Sequence, residues 1–315
     1  MVAAGETAAG IDLGGTNVRV GVVEPNGYVR AFVSAPFDAR RGAAPGLDQI
    51  ADMVRKCLRE AGDPPLAAIG IGATGPLDVR AGRIRNPYTL ETWADVDVRG
   101  PLEKAFEVAV TVENDAVVAA LGEWWQGAGR GAACLAMVTF GTGIGVALVR
   151  EGQAYRGAGE VHPEAGHLLV DPSGPRCYCG TQGCWEQLAA GPALVRMAVA
   201  STDPDLRAAD AAEIGRLDRA GHAGAQRIVA TAARHAALGL VNVIACYAPD
   251  MIILAGGVMG AYGAHLDEIR RIVDESAVYL PPGHTRIVEA LLGDHAGVIG
   301  AAYVAMGAPT SRSIS

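Results

Sequence analysis

Short apolar segments broken by glycine-rich turns alternate along the chain with longer segments of helical periodicity. Residues 9–23 alternate apolar with smaller or charged positions around a Gly-Gly turn, which predicts a strand, a tight turn and a second strand. Residues 137–149 repeat this pattern around a Gly-Thr-Gly turn. Two copies of one pattern in one chain indicate two homologous halves.

The remaining segments predict further helices and strands. Residues 47–62 have apolar positions at helical spacing and stop at a glycine, which predicts a surface helix. Residues 67–78 predict a buried strand that runs into a Thr-Gly-Pro turn, and residues 83–100 predict a long loop carrying Asn86, Trp93 and Asp95. The other expected elements are a helix from 101, a helix starting near Asn114 or Asp115, helices from Gly191 to about Leu240, strands at 251–260 and 286–293, a helix at 296–307 and a disordered tail at 309–315.

Length and charge restrict the class of protein. The 315 residues suffice for two domains with a sizeable core. The net charge of −8 and the absence of a basic tract argue against a nucleic-acid partner or an anionic membrane. No run approaches the roughly 18 uncharged apolar residues of a membrane span, and the first residues lack the pattern of a signal peptide. The sequence thus predicts a protein with neither a membrane nor a nucleic-acid partner.

Three of the six cysteines, Cys177, Cys179 and Cys184, lie within eight residues, and His167 stands ten positions before the first. Three thiolates and one imidazole form a soft ligand set that suits tetrahedral Zn²⁺. Four protein ligands leave no open position for a substrate water, so the sequence predicts a structural zinc in a loop spanning residues 160–186. The alternative is three reduced cysteines in a glycine-rich loop, which this spacing disfavours.

The other cysteines, Cys57, Cys134 and Cys246, have apolar neighbours in the sequence. We predict that they are buried free thiols. Thiols kept for a metal and for the core are typical of a reducing compartment, which predicts a cytoplasmic protein.

Glycine turns are the candidate phosphate sites. Gly14, Gly15 and Thr16 form a turn whose backbone N–H groups can point at an anion, and Asp12 is placed to face a metal–phosphate complex. The segment is neither a Walker A loop nor a GxGxxG turn, and in isolation it is equally compatible with an ordinary hairpin. The repeat of the pattern at residues 141–143 favours phosphate binding by both turns. Gly256 and Gly257 follow a predicted strand and offer backbone for a nucleotide to lie against.

Carboxylates supply the candidate chemistry. Asp115 stands at a predicted helix start, where an acidic residue is most often a simple cap. Its functional interpretation is a carboxylate kept ionised by the helix N-terminus, which accepts a proton as a sugar oxygen attacks a phosphate. Glu164 and Glu186 bracket the cysteine cluster, and a zinc loop would hold both in place for a ligand. The alternative is that both are solvated surface acids.

The motifs together resemble the ROK family of sugar kinases and repressors, within the hexokinase/actin-like ATPase superfamily. They are DLGGTNVR (12–19), GATGPLD (72–78), ENDA (113–116), GTGIG (141–145), E-x-G-H (164–167), C-x-C-G-x-x-G-C-x-E (177–186) and LAGGV (254–258). The resemblance implies an α/β fold of two actin-like (ribonuclease H-like) domains with a cleft between them and a zinc-binding loop. It implies an N-terminal domain of residues 1–117 plus 295–315 and a C-terminal domain of residues 118–294.

The same resemblance implies an ATP-dependent hexose kinase that uses ATP with Mg²⁺, with Asp115 as the base on the sugar 6-hydroxyl. The implied sugar-binding residues are Gly75, Asn114, Asp115, Glu164, His167 and Glu186. The implied ATP-binding residues are Asp12, Gly14, Gly15, Thr16, Gly141, Thr142, Gly143, Gly256 and Gly257. The implied zinc ligands are His167, Cys177, Cys179 and Cys184. Homodimers or homotetramers are usual for the resemblance.

One segment departs from the family pattern, because Pro163 stands where the family has glycine and a second Gly-Glu-x-His string lies at residues 159–162. We assign Glu164 and His167 because E-x-G-H is complete there and nine residues separate His167 from Cys177. The His-Pro-Glu-x-Gly-His string is similar to that of some ROK fructokinases. The cysteine motif and the segment after Asn114 are more similar to glucokinases, so we expect glucose. Fructose, an N-acetylhexosamine or a broad range of hexoses are the alternatives.

Three other classes of protein are disfavoured. The family's sugar-binding transcriptional regulators carry a winged-helix domain, and we expect none because only eleven residues precede Asp12. A zinc hydrolase of the HExxH type places its histidines four apart on one helix face, whereas His162 and His167 are five apart with Pro163 between them. An inactive descendant is disfavoured because Asp115 and both glycine turns are intact.

Overall fold

The protein is described by a computed structural model that covers residues 6–87 and 89–307. The tail predicted at 309–315 lies outside these residues. The strands are β1 (Thr7–Leu13), β2 (Asn17–Val23), β3 (Val29–Pro36), β4 (Leu66–Ala73), β5 (Leu77–Asp78), β6 (Arg83–Asn86), β7 (Trp93–Asp97), β8 (Ala109–Asn114), β9 (Cys134–Phe140), β10 (Ile144–Arg150), β11 (Gln153–Ala154), β12 (Met251–Ala255) and β13 (Arg286–Glu289). The helices are α1 (Ala43–Glu60), α2 (Arg99–Phe106), α3 (Asp115–Gln126), α4 (Trp185–Ala189), α5 (Gly191–Val199), α6 (Pro204–Arg207), α7 (Ala211–Arg219), α8 (Ala223–Tyr247), α9 (Met259–Tyr262), α10 (Leu266–Ser276) and α11 (Ala296–Ala305).

Two five-stranded sheets share one strand order, so the fold is α/β and repeats the same topology. The first sheet runs β3-β2-β1-β4-β8, and the second runs β11-β10-β9-β12-β13. In the first, β1 is antiparallel to β2 and parallel to β4, which is parallel to β8. In the second, β12 is parallel to both β9 and β13. Both predicted hairpins are therefore confirmed as the opening strands of equivalent sheets.

The described residues form two compact units. The first comprises the described residues up to Ala133, the segment Leu148–Glu160 and the described residues from Ala290 onward. The second comprises Cys134–Ala147 and Val161–Glu289. The domain limits expected from the sequence, at 117/118 and 294/295, stay a prediction.

The loop expected at residues 83–100 is wrong in part, because β6 and β7 pair with β5 as a small antiparallel sheet. Trp93 is fully buried and contacts Phe37 edge to face with ring centroids 5.6 Å apart. The Asn86 side chain, also fully buried, donates to the Thr74 carbonyl oxygen at 3.1 Å. Strands of four and five residues are too short for a clear alternation of apolar and polar positions, so the pattern missed them.

Helix α11 lies against the first sheet at unusually close range. A Cβ atom added to Gly10 would overlap with the Val298 carbonyl, and one added to Gly300 would overlap with the Val118 carbonyl of α3. Glycine at these positions lets two helices and a strand approach backbone to backbone. The alanine-rich sequence of α11 follows from this packing, because the helix has neighbours on most of its surface.

The C-terminal end of α3 is anchored by a buried carboxylate. Glu123 is fully buried, and its Oε1 accepts hydrogen bonds from the backbone N–H groups of Leu291 at 2.9 Å and Leu292 at 2.7 Å. Its Oε2 accepts from Ala128 N at 2.8 Å. These hydrogen bonds offset the desolvation cost of burying the carboxylate. The helix that begins at Asp115 is thus fixed at its far end.

Helix α8 is the one helix in the described part of the chain that is long and apolar enough to cross a membrane. Half of its apolar segment is buried in the protein, so length and composition alone are weak evidence for a membrane span.

The three cysteines outside the cluster differ in exposure. Cys57 is buried as predicted, but Cys134 is only partly buried and Cys246 is exposed. The prediction for Cys246 is wrong because apolar neighbours along a helix point to different faces.

Candidate active site

The first glycine turn joins β1 to β2 and places Asp12 beside a cation. Gly14 N donates to Asn17 O at 3.0 Å, which closes the turn, and Thr16 is exposed. Asp12 Oδ2 accepts from Arg19 Nη1 at 3.2 Å, and Arg19 Nη2 pairs with Asp294 Oδ1 at 2.9 Å. The turn therefore combines an exposed Thr16 with a carboxylate that Arg19 holds.

The Asp12 carboxyl has an unusual acidity. Burial raises its pKa to about 6, against the opposing attraction of Arg19, and the negative charge of Asp115 raises it further. The influence of Asp115 means that the two carboxylates lie in one electrostatic environment within the first unit. Such an environment attracts a divalent cation or another positive group.

Asp115 lies where β8 ends and α3 begins. The cap of the helix is Asn114, whose Oδ1 accepts from Ala116 N at 3.0 Å and from Val117 N at 3.2 Å. Asp115 Oδ1 accepts from Ala116 N at 2.8 Å, and its Oδ2 accepts from the Thr74 hydroxyl at 2.9 Å. Because Asn114 already caps the helix, Asp115 is not needed for that role. Its carboxylate is held in one orientation at the positive end of a twelve-residue helix.

Gly75 lies in the turn that follows β4 and Thr74. A Cβ atom added there would be 3.6 Å from Asn114 Nδ2, so the Gly75 backbone lies beside the capping amide. The predicted residues Asp12, Gly75, Asn114 and Asp115 all lie within the first unit.

The ion pair between Glu113 and Arg156 lies next to Asp115 and was not predicted from the sequence. Glu113 is 3% exposed, and its Oε1 accepts from Asn114 N at 2.7 Å. Its Oε2 is hydrogen-bonded to Arg156, whose pKa is lowered by burial. Glu113 belongs to the ENDA motif, which was a signal for it, but Arg156 is 43 positions away and no local pattern marks it. The pair fixes the backbone from which Asn114 and Asp115 project.

The second glycine turn joins β9 to β10, and the side chain of Glu186 packs against it. Gly141 N donates to Gly143 O at 2.9 Å, and Glu186 Oε2 accepts from Ile144 N at 3.1 Å. Thr142, between the two glycines, is exposed. The Glu186 carboxylate is thus held by the turn and is not a freely solvated surface group.

Gly256 and Gly257 follow β12 directly and are both exposed. Gly256 has φ +98°, and a Cβ atom there would overlap with the Phe140 backbone. Only glycine adopts this positive φ and fits this close approach of the backbone at low energetic cost. Gly257 has open space beside its Cα, so this backbone is accessible to a ligand.

The predicted metal ligands come together within the second unit. One ligand atom from each of His167, Cys177, Cys179 and Cys184 lies within 4.8 Å of the others. His167 Nδ1 is 3.5 Å from Cys177 Sγ, and Cys179 Sγ is 3.5 Å from Cys184 Sγ. Hydrogen bonding from Thr181 is the main cause that lowers the pKa of Cys179 to about 7, which favours the thiolate form that metals bind. Three sulfurs and one imidazole at this separation fit tetrahedral Zn²⁺.

A second group of possible ligands has a simpler explanation. Asp203, Asp205 and His222 also lie close together. Asp203 caps α6, and His222 caps α8 through Nδ1 while its Nε2 pairs with Asp203 Oδ2 at 3.2 Å. These side chains already serve the helix ends.

The remaining predicted sugar-binding residues lie around the cysteine cluster. Glu164 precedes a short turn of 3₁₀ helix that ends at His167, and its side chain is largely exposed beside His162, with 3.7 Å between Oε1 and Nε2. His167 is half-buried, and its Nε2 lies 3.3 Å from the hydroxyl of Tyr178, a residue that the sequence analysis did not single out. Glu164, His167 and Glu186 therefore all belong to the second unit.

Comparison with known proteins gives matches over nearly the whole chain. Residues 8–308 match the sequence model of the ROK family. A glucokinase from Thermotoga maritima is 31% identical over 313 residues, which cover 94% of this chain and 96% of that protein. The crystal structure of a ROK hexokinase from Thermus thermophilus has a TM-score of 0.84 at 35% identity and covers 95% of this chain and 98% of that one. A ROK family glucokinase from Streptomyces griseus, solved in complex with glucose and AMPPNP, has a TM-score of 0.75 at 30% identity, with 95% and 99% covered.

Proposed function

This chain belongs to the ROK family, and from that premise we propose that it is an ATP-dependent hexose kinase that phosphorylates the 6-hydroxyl of glucose. The observation that carries the proposal is the Asp115 carboxylate, held by the Thr74 hydroxyl at the start of α3 while Asn114 takes the capping role. A fixed carboxylate at a helix N-terminus is suited to accept a proton from an attacking hydroxyl.

In this reaction Asp115 accepts the proton of the 6-hydroxyl as the sugar oxygen attacks the terminal phosphorus of ATP. The bond between that phosphorus and the bridging oxygen of ADP breaks, and ADP leaves. Phosphoryl transfer depends mainly on positioning and on neutralising charge, so a single well-placed base suffices. Asn114 binds neighbouring hydroxyls of the sugar, and the Glu113–Arg156 pair keeps the backbone of both residues in place.

The two glycine turns bind the phosphates of ATP through backbone N–H groups other than those of Gly14 and Gly141, which close the turns. The residues of these phosphate-binding turns are Gly14, Gly15, Thr16, Gly141, Thr142 and Gly143. Gly256 and Gly257 lie near the adenosine, where exposed backbone permits close approach. Asp12 is the carboxylate that would hold Mg²⁺, which when bound neutralises charge on the transferred phosphate.

His167, Cys177, Cys179 and Cys184 would hold the structural Zn²⁺, which when bound fixes the loop that carries the sugar-binding side chains. Glu164, His167 and Glu186 bind hydroxyls on the 1-, 2- and 3-side of the sugar. Glu186 is already held by Ile144 N, so little ordering entropy is lost when it binds a ligand. The free cysteines among the described residues support a reducing, cytoplasmic location.

Glucose as the substrate is supported by the glucokinase from Thermotoga maritima and by the Streptomyces griseus structure with glucose and AMPPNP. We expect kcat/KM, measured as ADP release with ATP and Mg²⁺, to be highest for glucose among glucose, fructose, mannose, N-acetylglucosamine and N-acetylmannosamine. Polyphosphate in place of ATP serves as the comparison for the phosphoryl donor. A higher kcat/KM for fructose or an amino sugar would keep the mechanism and contradict the substrate assignment.

The acidity of Asp12 predicts a pH dependence of turnover. Because burial raises its pKa to about 6, the carboxyl is neutral below that pH and would no longer offer a charged ligand to Mg²⁺. We therefore expect kcat/KM to fall as the pH falls through about 6 and to be constant between pH 7 and 8 with respect to this group. Steady-state assays across pH 5–8 measure this acid limb.

The matched variant is Arg19→Gln. Arg19 opposes the rise in the pKa of Asp12 by charge and by its hydrogen bond, so its removal raises that pKa further and moves the acid limb to higher pH. An acid limb near pH 4, or one that Arg19→Gln leaves in place, would show that Asp12 does not control it.

A further inference from the structure

Tyr178 lies between two of the clustered cysteines, and its phenol contacts His167. The residue is 79% exposed, yet its phenol oxygen lies 3.3 Å from His167 Nε2. The two rings meet edge to face with centroids 5.1 Å apart. Cys177 and Cys179, two of the clustered residues, flank it in the chain.

His167 sets the direction of this hydrogen bond. Its Nδ1 lies 3.5 Å from Cys177 Sγ, so it is the nitrogen turned toward the ligand cluster. An Nδ1 that bound the zinc would leave the ring proton on Nε2, and Nε2–H would donate to the phenol oxygen of Tyr178.

The imidazole nitrogen that the phenol contacts is the one left for a ligand. His167 Nδ1 is turned toward the cysteines, so Nε2 is the ring nitrogen that a sugar hydroxyl can reach, and the Tyr178 hydroxyl already lies 3.3 Å from it. The phenol therefore fills the position from which a sugar hydroxyl would bind His167.

A sugar hydroxyl bound to His167 Nε2 would make this same contact. We propose that the Tyr178 hydroxyl occupies a hexose hydroxyl position in the sugar-free protein, and that the sugar displaces it. Tyr178 is then a determinant of sugar affinity that acts against binding. This inference rests on the proposed function, because it takes His167 to be a sugar-binding residue.

Displacement is feasible because the ring is mostly exposed and gives up few contacts. Removing the hydroxyl alone frees His167 Nε2 for the sugar. A neutral hydrogen bond contributes a factor of about two to ten to an equilibrium of this kind. Tyr178→Phe should therefore lower the dissociation constant for glucose by about two- to tenfold and lower KM in parallel, with kcat changed by less than about twofold.

The experiment measures glucose binding by titration calorimetry for the wild type, Tyr178→Phe and Tyr28→Phe. Tyr28 is an exposed tyrosine of the first unit, and its variant should bind glucose like the wild type. Tyr178→Ala is a second variant that also removes the ring, and it should bind at least as tightly as Tyr178→Phe. The same titrations with 1-deoxy-, 2-deoxy- and 3-deoxyglucose should show the gain lost for the one sugar that lacks the displaced hydroxyl.

The possible results distinguish the role of Tyr178 from the proposed kinase function. Unchanged or weaker glucose binding in both Tyr178 variants, with normal binding by the wild type, would overturn the role of Tyr178 and leave the kinase proposal intact. An equal gain for all three deoxy sugars would also overturn it. No binding of any hexose by the zinc-loaded wild type would overturn the proposed function and this inference with it.

Discussion

Replacing Asp115 with asparagine is expected to lower kcat for glucose phosphorylation by about 10²- to 10⁴-fold, the usual contribution of a positioned general base. The amide has nearly the same shape, so it keeps the hydrogen bond from the Thr74 hydroxyl, but it cannot accept the proton of the 6-hydroxyl. Asn114 continues to cap α3, so the fold should survive. Steady-state assays and titration calorimetry should find kcat reduced and glucose binding largely kept.

The matched control is Asp205→Asn, which changes another aspartate in the first turn of a helix. Asp205 is exposed, and the proposed mechanism gives it no role, so kcat should stay near that of the wild type. Turnover near wild type in Asp115→Asn would refute the assigned base. A simultaneous loss of glucose binding would point instead to a ground-state role for the carboxylate.

Replacing Cys184 with alanine is expected to remove the zinc and with it most of the activity. Cys184 is fully buried and lies next to Cys179 at the centre of the predicted ligand set. Losing one thiolate forfeits much of the metal-binding free energy, which in such sites is also folding free energy of the surrounding loop. We expect zinc content to fall from about one ion per chain to well below one and kcat/KM to fall by about 100-fold or more.

Elemental analysis by mass spectrometry measures the zinc, and limited proteolysis within residues 160–186 measures the order of the loop. Cys246→Ala is the control, because this exposed cysteine at the end of α8 is not among the clustered ligands. Its zinc content and activity should match the wild type. A zinc-free protein that stays folded and fully active would contradict the proposed coupling between the zinc and the sugar site.

The parts of the site that the sequence predicted are encoded by residues close together in the chain. Cys177, Cys179 and Cys184 are spaced as ligands of one ion, and the structure brings them together with His167. Asp115 follows a strand directly, so its position at a helix start could be anticipated. The glycine turns at 14–16 and 141–143 were visible because each lies between two apolar strands. Local spacing is what periodicity and motifs report.

The parts that were missed depend on contacts between distant positions. Arg156 contacts Glu113 although 43 positions separate them in the chain, and no local sequence pattern links the two residues. Tyr178 is an ordinary residue between two cysteines until the fold turns its hydroxyl to His167. Cys246 was misjudged because apolar neighbours on a helix say nothing about which face a residue occupies. Side-chain direction and long-range pairing come from packing, which a single sequence does not display.

The most decisive measurement is the identity of the product formed from ATP, Mg²⁺ and glucose by the zinc-loaded protein. Phosphorus NMR of the reaction distinguishes glucose 6-phosphate from other sugar phosphates, and coupled assay of ADP gives the stoichiometry. The proposed mechanism predicts glucose 6-phosphate and one ADP for each sugar phosphorylated. Phosphate on another hydroxyl would contradict the assignment of Asp115 to the 6-hydroxyl, and no ADP with any of the five sugars would contradict the kinase proposal itself.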